Sequence, residues 1–240
     1  MALKTHAARL ALSFAMLAGT LCAPSIARAG TPLAVLQHAS FSGQAASAQV
    51  RTVADWTVQT RDNQDLPFVI VDKVGARLFL FNRDGTLRAT TSVLLGLARG
   101  DVSPPGIGNL KLSLIAPADR ITPAGRFVAN KGIDLGGQDI VWVDYDAAIA
   151  IHRATDIKPG ATARDRLARL ASASPRDKRI SYGCINVSEA FYDSFIRPTF
   201  SASSGIVYVL PETKPLAALF PIEAADNAVG QHPAGLSRGS

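Results

Sequence analysis

The chain has 240 residues, a length that suits one domain with tails and permits a sizeable core. Its formal net charge is +6, but Lys4, Arg9 and Arg28 lie in a segment that is expected to be removed, which leaves +3. This mild excess of positive charge does not by itself indicate a nucleic-acid-binding protein.

Residues 1–29 have the features of a secretory signal peptide. A basic start precedes an uncharged, mostly apolar run at 10–23, and Ala27 and Ala29 supply the small residues that a signal peptidase requires before Gly30. The apolar run is too short to span a bilayer, which needs about 20 residues. We therefore expect an exported protein of the periplasm or cell envelope; the alternative is an uncleaved membrane anchor.

The mature chain then contains a single cysteine. Cys22 would leave with the signal peptide, so Cys184 has no intramolecular disulfide partner in an oxidising compartment. Such a thiol is either buried and inert or present for its reactivity.

The pattern of the mature chain predicts one mainly β domain between two less regular segments. Residues 30–66 form a leader with a short amphipathic helix at 47–59, and residues 212–240 form an irregular tail. The domain itself spans 67–211. Its predicted strands are 68–72, 77–81, 87–95, 125–129, 140–145, 147–152 and 205–210.

Two long segments interrupt the predicted strands. Residues 96–122 are rich in proline and glycine and predict a loop, whereas residues 153–179 contain a helical stretch at 163–171 that Thr162 would cap. The second segment carries eight Lys or Arg and three Asp, a local charge of +5. It is either a cationic rim that attracts carboxylates or a solvated face.

The segment from Ser181 to Asn186 is the best candidate for chemistry. Ser188 is a good helix N-cap, so the pattern predicts that Cys184 lies directly before a helix, whose dipole would favour the thiolate. Gly183 would allow the backbone to approach a substrate, and the amides of Gly183 and Cys184 are candidate oxyanion donors.

A nucleophilic cysteine also needs a base. His38 lies in the leader and His232 in the tail, so His152, at the end of a predicted strand, is the one histidine of the predicted domain. Counting residue types therefore pairs Cys184 with His152, but it leaves open an inert cysteine beside a structural histidine. A catalytic zinc site is a weaker reading, because one cysteine and one histidine fall short of three protein ligands.

These residues resemble the signature of the L,D-transpeptidase (YkuD) family. The resemblance consists of His152, a spacer and then Ser181-Tyr182-Gly183-Cys184-Ile185-Asn186. Upstream, the segment from Thr122 to Phe127 is similar to the family's T-P-x-G-x-F motif, and the match covers about residues 68–210.

The resemblance implies a YkuD-like β-sandwich with a short N-terminal helix, a helical insertion between His152 and Ser181, and a helix after Cys184. It implies no metal and no cofactor. The expected partners are peptidoglycan stem peptides, as donor and acceptor, in cell wall biogenesis. Cys184 would attack the carbonyl of the third stem residue, and His152 would act as general base, before an amine from a second stem resolves the thioester.

The other expected site residues have less specific roles. Ser181, Tyr182 and Gly183 would shape the loop and the oxyanion site, while Arg153 and Asn186 are candidate substrate contacts. Ser181 and Asn186 would alternatively hold the loop by hydrogen bonds.

The sequence departs from the family pattern at two points. Tyr182 stands where the family often has histidine, and the spacer of 28 residues before Ser181 is longer than usual. The alternatives are a hydrolase with the same dyad, either an L,D-carboxypeptidase or an amidase, and a non-catalytic wall-binding module.

Overall fold

The computed structural model describes residues 37–155 and 166–222. The predicted signal peptide with Cys22, residues 30–36 of the leader, the helix positions 162–165 and the tail beyond residue 222 with His232 lie outside the described residues. Within the described ranges, no helix is long and apolar enough to cross a membrane.

The described residues form a mainly β fold, as the sequence predicts. The strands are β1 (Phe68–Asp72), β2 (Arg77–Phe81), β3 (Leu87–Ser92), β4 (Leu95–Gly96), β5 (Gly125–Ile133), β6 (Asp139–Asp144), β7 (Ile149–Arg153), β8 (Arg179–Ser181), β9 (Ile185–Val187) and β10 (Gly205–Val209). Eight of them form one mixed sheet in the order β3-β2-β1-β10-β5-β6-β7-β9, and a separate parallel pair joins β4 to β8. Most neighbours in the large sheet are antiparallel, but β1 pairs with β10, and β7 with β9, in parallel.

The alternation of side chains along the strands places two hydrophobic clusters on opposite faces of the sheet. In β1, Val69 and Val71 belong to one cluster, whereas Phe68 and Ile70 belong to the other. The first cluster takes residues from both halves of the sheet and from the helical segment that follows β9, so these elements enclose one core in a sandwich-like arrangement.

The second cluster is covered by the N-terminal helix α1 (Ala48–Thr60). Ser47 caps this helix by accepting a hydrogen bond from the Val50 amide, and Val50, Val53 and Trp56 are buried against the sheet. The predicted helix at 47–59 is thus confirmed, with its apolar stripe facing the core.

The insertion between His152 and Ser181 contains the helix α2 (Arg166–Ala171), which confirms the predicted helical stretch within the described residues. The segment 96–122 is a loop, also as predicted, with three short 3₁₀ turns at Ile107–Asn109, Leu112–Leu114 and Pro117–Asp119. Both segments approach the region around Cys184.

The local structure around Cys184 differs from the prediction in one respect. The three-residue strand β9 separates Cys184 from the helical segment α3 (Glu189–Phe191), which continues through a π-helical turn at Tyr192–Ile196 into α4 (Arg197–Ala202). Ser188 caps α3, as expected, through a 3.2 Å hydrogen bond from the Phe191 amide to its hydroxyl. Cys184 does not lie at this helix terminus, so the expected lowering of its pKa by the helix dipole was wrong.

The first part of the predicted tail packs tightly on the domain. It is irregular apart from a 3₁₀ turn at Leu216–Ala218, but the side chain of Glu212 is fully buried and Phe220 is 1% exposed. Phe220 contacts the rings of Trp56 and Tyr208 and so closes the second cluster.

Candidate active site

Parallel pairing of β7 with β9 brings the candidate catalytic residues to neighbouring strands. His152 pairs with Asn186 and Ile151 with Ile185, and Cys184 is the residue directly before β9. Ile151 and Ile185, which directly precede His152 and Asn186 in their strands, belong to the first hydrophobic cluster. Because side chains alternate along a strand, those of His152 and Asn186 point to the opposite face of the sheet. The chain excursion 154–180 therefore returns Cys184 to the strand that carries His152.

The contacts of His152 fit a neutral imidazole with its proton on Nδ1. Its Nδ1 lies 3.0 Å from the Arg153 carbonyl oxygen, which can only accept a hydrogen bond. The Asn186 amide nitrogen, which can only donate, lies 2.8 Å from Nε2 and 3.3 Å from Nδ1. A proton on Nδ1 leaves the lone pair on Nε2 for this donor at the shorter of the two distances. Burial lowers the pKa of His152, and the nearby Arg166 lowers it further, which favours this neutral form.

Cys184 is partly buried and lines a cavity of about 80 Å³. The walls of the cavity are mostly apolar and come from the 96–122 loop, the turn before β7 and Tyr182: Ser103, Ile107, Gly108, Leu110, Leu112, Ile115, Ala147, Ala148, Ile149 and Tyr182. The thiol donates to the Ala148 carbonyl at 3.6 Å rather than to the imidazole. Burial raises the pKa of this thiol, against the opposing effects of the Ala150 backbone and Arg166.

The loop before Cys184 is held by two buried hydroxyl groups. Ser181 Oγ donates to the Cys184 carbonyl at 2.7 Å and accepts from the Gly183 amide at 3.1 Å. Thr122 Oγ1 donates to the Gly183 carbonyl at 2.7 Å and accepts from the Gly96 amide at 2.8 Å. The Gly183 amide is therefore already engaged, and the oxyanion role expected of it is not favoured by this geometry.

Gly183 occupies a position that only glycine fits. Its φ is +133°, and a Cβ there would lie 2.6 Å from Ile149 Cδ1 and 2.7 Å from the Ile121 carbonyl oxygen. Backbone packing is thus a sufficient reason for this glycine of the motif, independent of the role near substrate that the sequence suggested.

Tyr182 is one wall of the Cys184 cavity, and its ring lies 4.1 Å from the guanidinium of Arg120. Arg120 in turn donates through Nε and Nη2 to the Ile115 carbonyl. Tyr182 therefore links the cysteine loop to the segment that covers the thiol, a contact that the sequence did not predict.

Arg153, an expected substrate contact, is committed to two carboxylates. Its guanidinium lies 2.9 Å from Asp139 and 2.5 Å from Asp193, stacks over Tyr192 and has a side-chain exposure of only 12%. These pairs raise the pKa of Arg153 against the effect of burial. The substrate contact stays a prediction that this geometry does not favour, because the guanidinium would have to leave both partners.

Arg166 is the residue of the insertion that reaches the site. From the start of α2, its Nη1 donates to Asn186 Oδ1 at 3.3 Å, which orients the amide so that Nδ2 faces His152. Asn186 is fully buried, so its side chain holds the histidine rather than lying at the surface. The sequence indicated a basic insertion, but spacing alone does not single out Arg166 within it.

Among the described residues, no group of three or more His, Cys, Asp or Glu side chains is arranged to hold a metal ion. The site in this part of the chain consists of one thiol, one imidazole, one amide and one guanidinium, held by backbone contacts. Such a set can carry out nucleophilic and acid–base chemistry.

Solved L,D-transpeptidase structures are similar to this chain at low identity. A crystal structure of an Enterococcus faecium L,D-transpeptidase mutant has 16% identity and a TM-score of 0.33, and covers 60% of this chain and 49% of that one. An LD transpeptidase in complex with imipenem has 16% identity and a TM-score of 0.34, and covers 60% and 58%. The NMR structure of the E. faecium catalytic domain has 17% identity and a TM-score of 0.33, and covers 61% and 98%.

The chain thus spans about half the length of the two larger structures and nearly all of the isolated catalytic domain. Each of the three is an L,D-transpeptidase, the family that the sequence motifs resemble. Likeness at this level concerns the fold alone. No family model matches the chain, and no curated protein matches it.

Proposed function

We propose that the protein is a cysteine acyltransferase of the L,D-transpeptidase type that acts on peptidoglycan stem peptides in the cell envelope. The observation that carries this proposal is the parallel pairing of β7 and β9. In this pairing His152 lies beside Asn186, and Cys184 directly precedes β9. The order of the motif residues, and the L,D-transpeptidase activity in the names of the similar structures, support the same reaction class.

The chemistry begins from a neutral thiol and a neutral imidazole. When the donor stem binds, His152 Nε2 exchanges its contact with Asn186 for the thiol proton, and the sulfur attacks the carbonyl of the third stem residue. The C–N bond to the terminal D-alanine breaks, and the proton returns from His152 to the leaving amine. The amine of a second stem then attacks the thioester, forms the new amide and releases the thiol.

Substrate binding requires the segment 103–115 to move. The cavity beside Cys184 holds about 80 Å³, whereas sites for ligands of peptide size measure roughly 300–1,000 Å³. The covering segment contains glycine and proline and packs against the turn before β7, where a Cβ at Gly108 would meet the Asp146 carbonyl at 2.4 Å. Closure of this segment over the thioester would also limit attack by water.

The test is incubation of the purified protein with muropeptides that carry a tetrapeptide stem, followed by mass spectrometry. The proposal expects cross-linked dimers and loss of D-alanine with the wild-type chain, and neither product with Cys184→Ala. Tripeptide monomers alone would identify a carboxypeptidase. In a separate incubation with muropeptides that carry an attached protein, release of that protein would identify an amidase. Unchanged substrate with a folded wild-type protein would favour the non-catalytic module and overturn the proposal.

A second measurement isolates the first half-reaction. Imipenem, the compound bound in one of the similar structures, should add its mass to Cys184 in the wild-type chain. The matched control is Cys184→Ser, which keeps the size of the side chain but replaces the thiol with a weaker nucleophile, and it should acquire no adduct. Imipenem adducts elsewhere in the chain would contradict the assignment of the nucleophile.

A further inference from the structure

A second and larger cavity, of about 660 Å³, lies beside the β4–β8 pair. Its walls come from the turn after β1, the segment that follows β4 and the C-terminal end of the insertion: Lys73, Val74, Leu97, Arg99, Ser174, Pro175, Arg176 and Arg179. It shares no wall residue with the Cys184 cavity among the described residues. Its volume falls in the range of sites that bind small molecules and short peptides.

The floor of this cavity is a buried ion network that is already paired. Lys73 is 1% exposed and donates to Asp101 at 2.8 Å, while Arg179 donates to Glu212 through Nη1 at 3.1 Å and through Nη2 at 2.5 Å. Asp101 also accepts from the amides of residues 212–214. These inner charges hold the fold together and balance one another.

The rim carries the remaining positive charge. Arg99 extends from the segment after β4 with a side-chain exposure of 68%, and contacts Glu212 through Nε at 3.2 Å. Arg176, in the insertion, is also exposed and lines the same cavity. Four cationic side chains therefore line the cavity against the two carboxylates of Asp101 and Glu212, and Arg99 and Arg176 are the exposed members of the four.

Part of the wall of the same cavity is apolar. Val74 is 51% exposed and Leu97 is 40% exposed, and Pro175 faces the same cavity. Exposed aliphatic side chains inside a cationic cavity favour a ligand that combines an aliphatic group with an anionic one, because each part then removes matching surface from water.

We propose that this cavity is a binding site for an acidic peptide, with a carboxylate between Arg99 and Arg176 and an aliphatic side chain on Val74 and Leu97. Guanidinium groups suit this ligand because they bind carboxylates through two parallel hydrogen bonds. The site does not depend on the acyltransferase reaction, since Cys184 lies in the other cavity. It adjoins the cysteine loop, however, because the Leu97 amide donates to the Ser181 carbonyl at 2.9 Å.

Isothermal titration calorimetry with N-acetyl-valyl-glutamate tests this proposal in the intact wild-type protein. We expect saturable binding that weakens when the NaCl concentration is raised, because rim charges are screened by salt. The neutral diamide N-acetyl-valyl-glutaminamide should bind at least about tenfold more weakly. Inorganic phosphate, titrated separately, distinguishes a peptide site from a general anion site: binding as tight as that of the peptide would overturn the assignment to peptides.

The variant Arg99→Ala/Arg176→Ala should bind the peptide at least about tenfold more weakly, because both contacts to its carboxylate are lost. The matched control is Arg83→Ala/Lys131→Ala, which removes the same charge from two exposed positions outside the cavity and should leave the affinity unchanged. Thermal unfolding checks that both variants are folded. Equal affinities for the two double variants, or no saturable binding by the wild-type chain at millimolar peptide, would contradict the proposal.

This result is separable from the proposed acyltransferase activity. Imipenem acylation reports Cys184 alone and requires no occupant of the second cavity. Failure of acylation with intact peptide binding would remove the enzyme proposal and keep the peptide site, and the reverse pattern would remove only the site.

Discussion

Burial sets the protonation states of Cys184 and His152 in the protein without substrate. The pKa of Cys184 is raised and that of His152 is lowered, so at neutral pH the pair consists of a thiol and an imidazole rather than a thiolate and an imidazolium. Arg166 favours the thiolate of Cys184 and opposes the cation of His152, but it does not overcome burial at the sulfur. Proton transfer must then accompany substrate binding.

This protonation state predicts the pH dependence of Cys184 alkylation. The thiolate is the reactive form and its pKa is raised, so the rate with iodoacetamide should climb about tenfold per pH unit from pH 6 to pH 8 without reaching a plateau. His152→Ala should slow acylation of Cys184 by imipenem near pH 7 by roughly tenfold or more, because the base that accepts the thiol proton when the substrate binds is lost. Mass spectrometry of the modified protein measures both rates.

The control for this prediction is His38→Ala, since His38 lies at the surface beside Asp55. Its rate of acylation by imipenem should match that of the wild-type chain. A His152→Ala variant that imipenem acylates as fast as wild type near neutral pH would refute the base assignment, and a plateau of the alkylation rate below pH 7 would refute the neutral resting pair.

Gly183 links the sequence motif to backbone packing. Gly183→Ala should destabilise the fold by roughly 2–4 kcal/mol, because the new Cβ meets both the Ile121 carbonyl and the Ile149 side chain at an unfavourable φ. Gly137→Ala is the matched control: its φ is +83° but nothing lies within 4 Å of the new Cβ, so it should cost about 1 kcal/mol. Urea unfolding measures the two, and equal losses would show that packing around Gly183 is not the cause.

Two strands carry the site, and the sequence predicts one of them far better than the other. β7 was predicted at 147–152 and lies at Ile149–Arg153, because its run of apolar residues is typical of a buried strand. β9 has three residues, too few to reveal a period in the sequence, and only its parallel pairing with β7 defines it. The helix that Ser188 was expected to cap is present, but β9 lies between it and Cys184.

The helix α2 contributes the electrostatic element of the site. Arg166→Ala should slow alkylation of Cys184 at pH 8 by at least about twofold, because Arg166 lowers the pKa of the thiol and orients Asn186 toward His152. Arg166→Lys should retain part of the rate, since the charge remains but the planar guanidinium is lost.

The matched control lies on the same helix. Arg169 donates to the Asp177 carbonyl within the insertion, so Arg169→Ala should leave the alkylation rate of Cys184 near that of the wild-type chain. Equal effects of the two alanine variants would show that the helix as a whole, and not Arg166, supports the site.

At the scale of the whole molecule, a buried network joins segments that are distant along the chain. Lys73 donates hydrogen bonds to the carbonyls of Gly100 and Thr122 and to the carboxylate of Asp101. Glu212 accepts hydrogen bonds from Arg179 and from the Gly100 amide. Thr122 in turn holds the Gly183 carbonyl, so the network reaches the cysteine loop. Buried charges are tolerated here because each has several partners.

This network predicts a stability that depends on pH. Burial opposes ionisation of Asp101 and Glu212, but hydrogen bonds and nearby cations outweigh it and lower the pKa of both carboxyl groups. The two carboxylates therefore stabilise the fold above about pH 4, and this stabilisation is lost as the pH falls through their lowered pKa values. Glu212→Gln should reduce the free energy of unfolding by roughly 3–5 kcal/mol at pH 6 and less at pH 3. Urea unfolding at both pH values measures this.

Asp65→Asn provides the comparison, because Asp65 is exposed. It should leave the free energy of unfolding within about 0.5 kcal/mol at either pH. If Glu212→Gln lost the same amount at pH 3 as at pH 6, the ionised carboxylate would not be the stabilising species.

Local periodicity and residue types were enough to predict the mainly β class, the N-terminal helix and most strand positions, and to select Cys184 and His152 as the candidate pair. Three features of the site are visible in the fold alone: β9 separates Cys184 from its helix, Arg153 is bound to two carboxylates, and Arg166 approaches Asn186. A hydrogen bond or an ion pair between distant segments depends on which strands pair and in which register, and neither leaves a local signal in the sequence.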